Sequence, residues 1–161
     1  MWFLLLISIV FLGAITWFDF RDRSIPLALL IGESVVALLY FSYLAIPGYF
    51  FTVLINLLLA GFNIGLLFVW FKWRHGRISF FDKILGWGDV FLFGIAALFF
   101  ELMNFLSFIV IAAFLGGVYG AAMYFVSHNS KRAAPLIPLA GIMAALLIVS
   151  HLFHFFGVDL I

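Results

Sequence analysis

Six apolar stretches, separated by short segments that hold most of the charge, leave this chain few ways to fold. They run over about Trp2–Phe18, Ile25–Tyr43, Tyr49–Trp70, Ile84–Phe100, Asn104–Ser127 and Leu136–Phe156. A bilayer core about 30 Å thick accepts roughly 20 predominantly apolar residues as one helix. Six such helices consume most of the 161 residues. The expectation is therefore an all-α polytopic membrane protein of about six transmembrane helices. It forms a single transmembrane domain over residues 1–161, with no soluble domain. Composition agrees: 68% of residues are hydrophobic, 9% are charged, and the mean hydropathy is +1.32. Soluble domains are about half apolar and a quarter charged, so an ordinary soluble protein is excluded, and a disordered chain still more firmly. A net charge of +1 argues against a nucleic-acid partner. With no cysteine there is no disulfide, thiol catalysis or cysteine-ligated metal, and the four histidines do not cluster. No metal or cofactor is expected.

The first stretch has no basic residue before it and no small-residue cleavage site after it. It leads into Asp19-Phe20-Arg21-Asp22-Arg23 and reads as a retained helix. Orientation follows from the eight basic residues. Arg21 and Arg23 follow stretch one. Lys72, Arg74, Arg77 and Lys83 follow stretch three, and Lys131 and Arg132 follow stretch five. Basic loops stay in the cytoplasm. Loops one, three and five should therefore be cytoplasmic, and both termini outside an inner (cytoplasmic) membrane. Pro26 suits the first turn of the second helix, and Pro47-Gly48 breaks the chain before the third. Gly61 with Gly65, and Gly116 with Gly120, place small residues four apart, as helices packed closely in lipid do.

Of the seven acidic residues, Asp22 and Asp82 read as surface charge, Asp159 lies at the tail, and Glu101 falls in an outer loop. Asp19, Glu33 and Asp89 need explaining. Asp19 lies about 3 Å deeper than Arg21, and Asp89 about 9 Å beyond Lys83, at helical rise. Both are shallow, near the cytoplasmic face, and would meet if helices one and four pack together. Alone, Asp19 also fits an interfacial ion pair with Arg21 and Arg23, and Asp89 a helix cap or a pair with Lys83. Gly86-Trp87-Gly88 precedes Asp89, however. Two glycines admit a close backbone and weaken a helix by about 1 kcal/mol each. Beside an intramembrane acid, that favours function. Glu33 lies mid-helix, protonated or bonded to Ser34, Asn56 or Asn63, and supports the site at one remove. His151 and His154 share a face at the outer end, on the wrong side for the aspartates, and read as a polar helix terminus.

Two carboxylates within hydrogen-bonding reach share one proton. The ionised one can activate water, while the protonated one polarises a carbonyl and later protonates the leaving amine. No metal is required for that peptidase chemistry.

The segment Asp19-Phe20-Arg21-Asp22-Arg23-Ser24-Ile25-Pro26 resembles the acid-then-Arg-x-Arg-x-Ile-Pro element of type IV prepilin peptidases. Gly86-Trp87-Gly88-Asp89 is similar to their Gly-x-Gly-Asp motif, and Pro135-Leu136-Ile137-Pro138 to the Pro-x-x-Pro element opening their last helix. The three elements lie in family order. The resemblance implies an intramembrane aspartic endopeptidase that removes the short basic leader of a prepilin- or pseudopilin-like membrane substrate. Asp19 and Asp89 would be the catalytic pair, Gly86 and Gly88 the active-site loop, and Arg23 and Glu33 supporting residues. Without cysteine, the chain lacks the Cys-x-x-Cys module linked to N-methylation in many bacterial members. Phe91 stands where many members carry lysine. The alternatives are a Gly-x-Gly-Asp protease with another membrane substrate, or a catalytically silent assembly protein of a pilus or secretion system. A small transporter would place its acids near the midplane, where only Glu33 lies.

The basic-residue pattern predicts both termini outside. A reporter active only in the cytoplasm, fused after Ile161, should give no signal, and strong signal from an inserted protein overturns the orientation.

Overall fold

The computed structural model describes residues 2–44, 48–75, 86–128 and 138–156, and their side chains except at 44, 71, 74, 75, 124 and 126–128. Among the described residues there are six helices and no strand. They are α1 Trp2–Asp22, α2 Leu27–Leu44, α3 Tyr49–His75, α4 Trp87–Phe99, α5 Leu102–His128 and α6 Leu139–Phe155. Each occupies one of the six apolar stretches. Asp82, Lys83, Arg77, Lys131, Arg132, Pro135 and Asp159 lie outside the described residues.

The helices divide by length. Trp2–Asp22, Tyr49–Trp70 and Leu102–Met123 are long and apolar enough to cross a membrane, whereas Leu27–Tyr43, Trp87–Phe99 and Leu139–Phe155 are shorter apolar helices. At 1.5 Å per residue α4 spans only about 20 Å. Short α4 and α6 supply much of the core: Leu92, Ile95, Ala96 and Phe99 from α4, and Met143, Ala144 and Leu147 from α6, are buried. Large apolar side chains point outward elsewhere, Val10, Leu58 and Phe114 among them. Exposed apolar surface on this scale marks contact with something other than water. With six apolar helices it identifies a polytopic membrane protein.

The most extensive helix pairing is α1 against α6. The two run antiparallel, since Ser8 meets His151 and Asp19 meets Gly141. Close packing relies on glycines other than Gly61 and Gly65. A Cβ on Gly32 would stand 2.6 Å from the Phe11 ring, whereas one on Gly61, Gly65 or Gly117 would meet nothing within 4 Å. At Gly61 and Gly65 there is ordinary packing without close approach, and Gly117 is likewise open. They lie where α3 and α5 face outward, and a small residue alone does not bring a partner.

Buried polar side chains fix the helices' relative positions. The Ser8 hydroxyl donates to Glu33 Oε1 at 2.6 Å and lies 3.0 Å from His151 Nε2. A hydroxyl has one proton, so with it directed at Glu33, His151 Nε2 is the donor in the second bond. This chain ties α1, α2 and α6. It corrects two expectations. Glu33 bonds neither Ser34, Asn56 nor Asn63, and it stands about 16 Å from Asp19 along α1, given eleven helical steps from Ser8. It supports helix packing, not the aspartates directly. His151 is fully buried, with its ring edge-on to Phe99 at 4.6 Å, and is no wet terminus. Asn56, from α3, instead donates to the carbonyls of Ala97 at 3.3 Å and Phe100 at 2.8 Å. Tyr49 donates to Leu98 at 3.2 Å. The carbonyls ending α4 have no partner within their own helix, so α3 closes that end.

Removing the Ser8 hydroxyl strands two buried polar groups, each costing about 1–3 kcal/mol. Ser8→Ala should clearly lower the thermal midpoint in detergent. Ser42→Ala, whose exposed hydroxyl bonds only Leu38 in its own helix, should leave it unchanged.

Candidate active site

The site begins with a helix start that cannot cap itself. Pro138 is the N-cap of α6 and contributes no side-chain hydrogen bond. The first bond within the helix is Ile142 N–H to the Pro138 carbonyl at 3.1 Å. The amides of the first turn therefore need acceptors from elsewhere. Asp19, in the last turn of α1, is one: its Oδ2 accepts the Gly141 N–H at 2.6 Å. The preceding amide, Ala140, reaches the Asp89 carboxylate.

Asp89 lies in the first turn of α4, and its Oδ2 also accepts the Gly86 N–H at 2.8 Å. Asp89 thus does cap its own helix, as the simpler reading of the sequence allowed. That reading does not account for the Ala140 contact or for Asp19 close enough to interact electrostatically. Both carboxylates are buried, at 8% and 7% exposure. Helix N-termini favour negative charge by about 0.3–2 kcal/mol each, and here α4 and α6 both aim their starts at the pair.

The aspartates do not meet by packing α1 on α4, as the sequence suggested. These helices share no extended interface; each packs on α2 and α6. The ion-pair reading of Asp19 fares differently at its two arginines. Arg21 pairs with exposed Asp22 at 3.7 Å. Arg23 lies within electrostatic range of Asp19. It ends α1 in the left-handed region at φ 54°, which sends its guanidinium to the Tyr119 hydroxyl at 3.0 Å.

The two motif glycines differ. A Cβ on Gly88 would stand 2.8 Å from Ile25 Cδ1, and one on Gly86 an ordinary 3.5 Å from Asp89 Oδ2. Close approach is thus a property of Gly88. Sequence reasoning missed Ala140 and Gly141. A Cβ on Gly141 would meet the Phe20 ring at 2.8 Å and Asp19 Oδ2 at 3.0 Å. The signal was Pro138 followed by small residues with no capping side chain nearby. Phe91 lines an apolar groove between α2 and α4 with Ser34 and Leu38, on another face of α4 from Asp89. Among the described residues, no three His, Asp or Glu side chains gather as metal ligands.

Overpacking typically costs about 1–3 kcal/mol, or roughly 5- to 150-fold if it falls on the reacting geometry. Gly88→Val and Gly141→Ala should lose at least about tenfold in cleavage rate in that range, with smaller shifts in thermal midpoint. Gly86→Ala should remain within about threefold of wild type. Full activity in all three variants would refute the close-approach geometry.

No curated protein and no solved structure matches the chain. The profile of the type IV leader peptidase family matches residues 6–121, from α1 into α5, including Asp19 and the segment from Gly86 to Asp89. Over most of its length, this chain belongs to the type IV leader peptidase family.

Proposed function

We propose that this protein is an aspartic endopeptidase that removes the short basic leader of a prepilin- or pseudopilin-like membrane precursor, with Asp19 and Asp89 as its catalytic pair. The observation that carries this reading is the convergence of two buried carboxylates, from different helices, at the first turn of α6. A structural cap needs only one.

Two buried carboxylates within each other's electrostatic range favour carrying one proton between them. The ionised one takes a proton from water as the oxygen attacks the scissile carbonyl carbon. The protonated one gives its proton to the carbonyl oxygen. Collapse of the tetrahedral intermediate breaks the C–N bond, and the amine leaves with a proton returned by the pair. The Ala140 and Gly141 amides hold the carboxylates in place, and Arg23 adds positive charge beside Asp19.

The pair stands at the end of α1 that carries Arg21 and Arg23. Since basic residues stay in the cytoplasm, this supports a site at the cytoplasmic face of the inner membrane. There a leader would emerge from a precursor whose apolar helix remains in lipid. The cut bond must leave its helix, and glycine, about 1 kcal/mol worse than alanine in a helix, eases that step.

Asp19→Asn and Asp89→Asn should each reduce cleavage of a pilin-like precursor at least about a thousandfold, and the double variant little further, because such a pair acts as a unit. Asp22→Asn should be mild, since its partner is a solvent-exposed arginine. Mass spectrometry should place the cut after a glycine at the leader–helix junction. Near-normal turnover by either single variant removes that residue from the pair.

A further inference from the structure

α1 and α5 share no extended interface, and a cleft remains between them with α6 as its floor. Its inner part, about 480 Å³, is walled by Phe20, Val118, Tyr119 and Ala122 and floored by Ile142 and Ala145. A Cβ on Gly141 would meet both the Phe20 ring and Asp19 Oδ2, so the inner end of the cleft lies next to Asp19. A second hollow, lined by Asn104, Ser107, Phe108 and Ser150, shares Leu146 and Val149 with the first. The combined cleft follows α5 from Ala122 to Asn104, about 27 Å at helical rise. That matches one helix across a hydrocarbon core of about 30 Å.

The cleft is apolar along its inner part, and at its outer end three polar side chains stand among apolar ones such as Phe100 and Ile111. Ser107 and Asn104 lie one turn apart on α5. Ser150 is 7% exposed, and its hydroxyl has no hydrogen-bond partner among the described residues. In lipid a stranded hydroxyl costs free energy that water would otherwise remove. A guest with a hydrogen-bonding side chain at that depth would satisfy it. Ser150 lies nine positions beyond Gly141 on α6, about 13 Å from the level of the pair.

We propose that this cleft docks the apolar helix of the precursor, and that Ser150, with Asn104 and Ser107, selects a hydrogen-bonding side chain about nine residues beyond the cut. This rests on the leader-peptidase reading above. It identifies the substrate as a single helix running outward beside α6, with its first residue at the aspartates. The placing of the cleft's inner end next to Asp19 favours that occupant over lipid or a second copy of this chain, neither of which needs to begin there.

The absence of cysteine permits clean single-cysteine crosslinking in proteoliposomes. The partner is a pilin-like precursor carrying one cysteine at successive helix positions, with Asp89→Asn in the peptidase to keep it intact. Ala145→Cys should crosslink about four residues beyond the scissile bond and Val149→Cys about eight. Leu58→Cys, exposed on α3, should not crosslink. In the cleaving enzyme, a precursor with serine at the ninth position should have a KM about threefold lower than one with leucine, the size of a membrane hydrogen bond. Ser150→Ala should erase that difference. If wild type cleaves the precursor but Leu58→Cys crosslinks as well as the cleft positions, or Ala145→Cys links two copies of the peptidase, the dock is wrong and the peptidase reading stands. A preference that survives Ser150→Ala overturns the polar selection. Failure of wild type to cleave any such precursor sinks both.

Discussion

At the first turn of α6, two deficits cancel. Backbone amides at a helix start lack partners in their own helix, and Pro138 provides no side chain to cap them. Buried carboxylates have lost the water that would solvate their charge. Asp19, bonded to the Gly141 amide, meets both needs at once, and Asp89 lies beside the same first turn. The arrangement carries structural consequences. It joins the end of α1 to the start of α4 through a third element, though the two helices hardly touch. An acidic pair of this kind is therefore assembled by α6, and any displacement of α6 would separate it.

Two polar levels hold α6 in register against α1. One is the Asp19–Gly141 bond; the other, about three turns away, is the Ser8–His151 contact with Glu33 attached. A slip of one residue would rotate the α6 face by about 100° and break both together. Hydrogen bonds between membrane helices are individually modest. Their value here is that they specify one register where apolar packing alone would tolerate several. At the far end of α4, Asn56 and Tyr49 perform a comparable service from α3, so the helix carrying Asp89 is held at both ends.

The division between short inner and long outer helices follows from the same arrangement. α4 begins at Trp87 and α6 at Leu139, each opening directly at the carboxylate pair. Their glycines and alanines let neighbours approach, as Ile25 does over Gly88 and Phe20 over Gly141. The longer α3 and α5 wrap outside, with large apolar side chains facing lipid. Because α5 leans on α6 and α3 without closing onto α1, a lengthwise opening is left beside the site.

Much of the protein was legible in residue order. Six helices follow from apolar runs separated by charge, since lipid admits few alternatives to a helix for such runs. Asp89 stood out because an acid beside glycines in an apolar stretch is unfavourable without a use, and Asp19 because it lies at a comparable shallow depth. The glycine pairs at Gly61 and Gly65, by contrast, carried a pattern without a neighbour, and Glu33 carried a charge whose partner lay on another helix. Those outcomes depend on which faces meet, and helical periodicity in an almost uniformly apolar chain leaves the faces nearly indistinguishable. The sequence by itself determined the number of helices, their membrane character and two of the acids that the fold buries. Only the tertiary structure decided that α6 unites the two acids, that Ser8 holds Glu33 and His151, and that Gly141 must be small. Its amides and faces are identical in kind to every other helix start, and only their three-dimensional neighbours distinguish them.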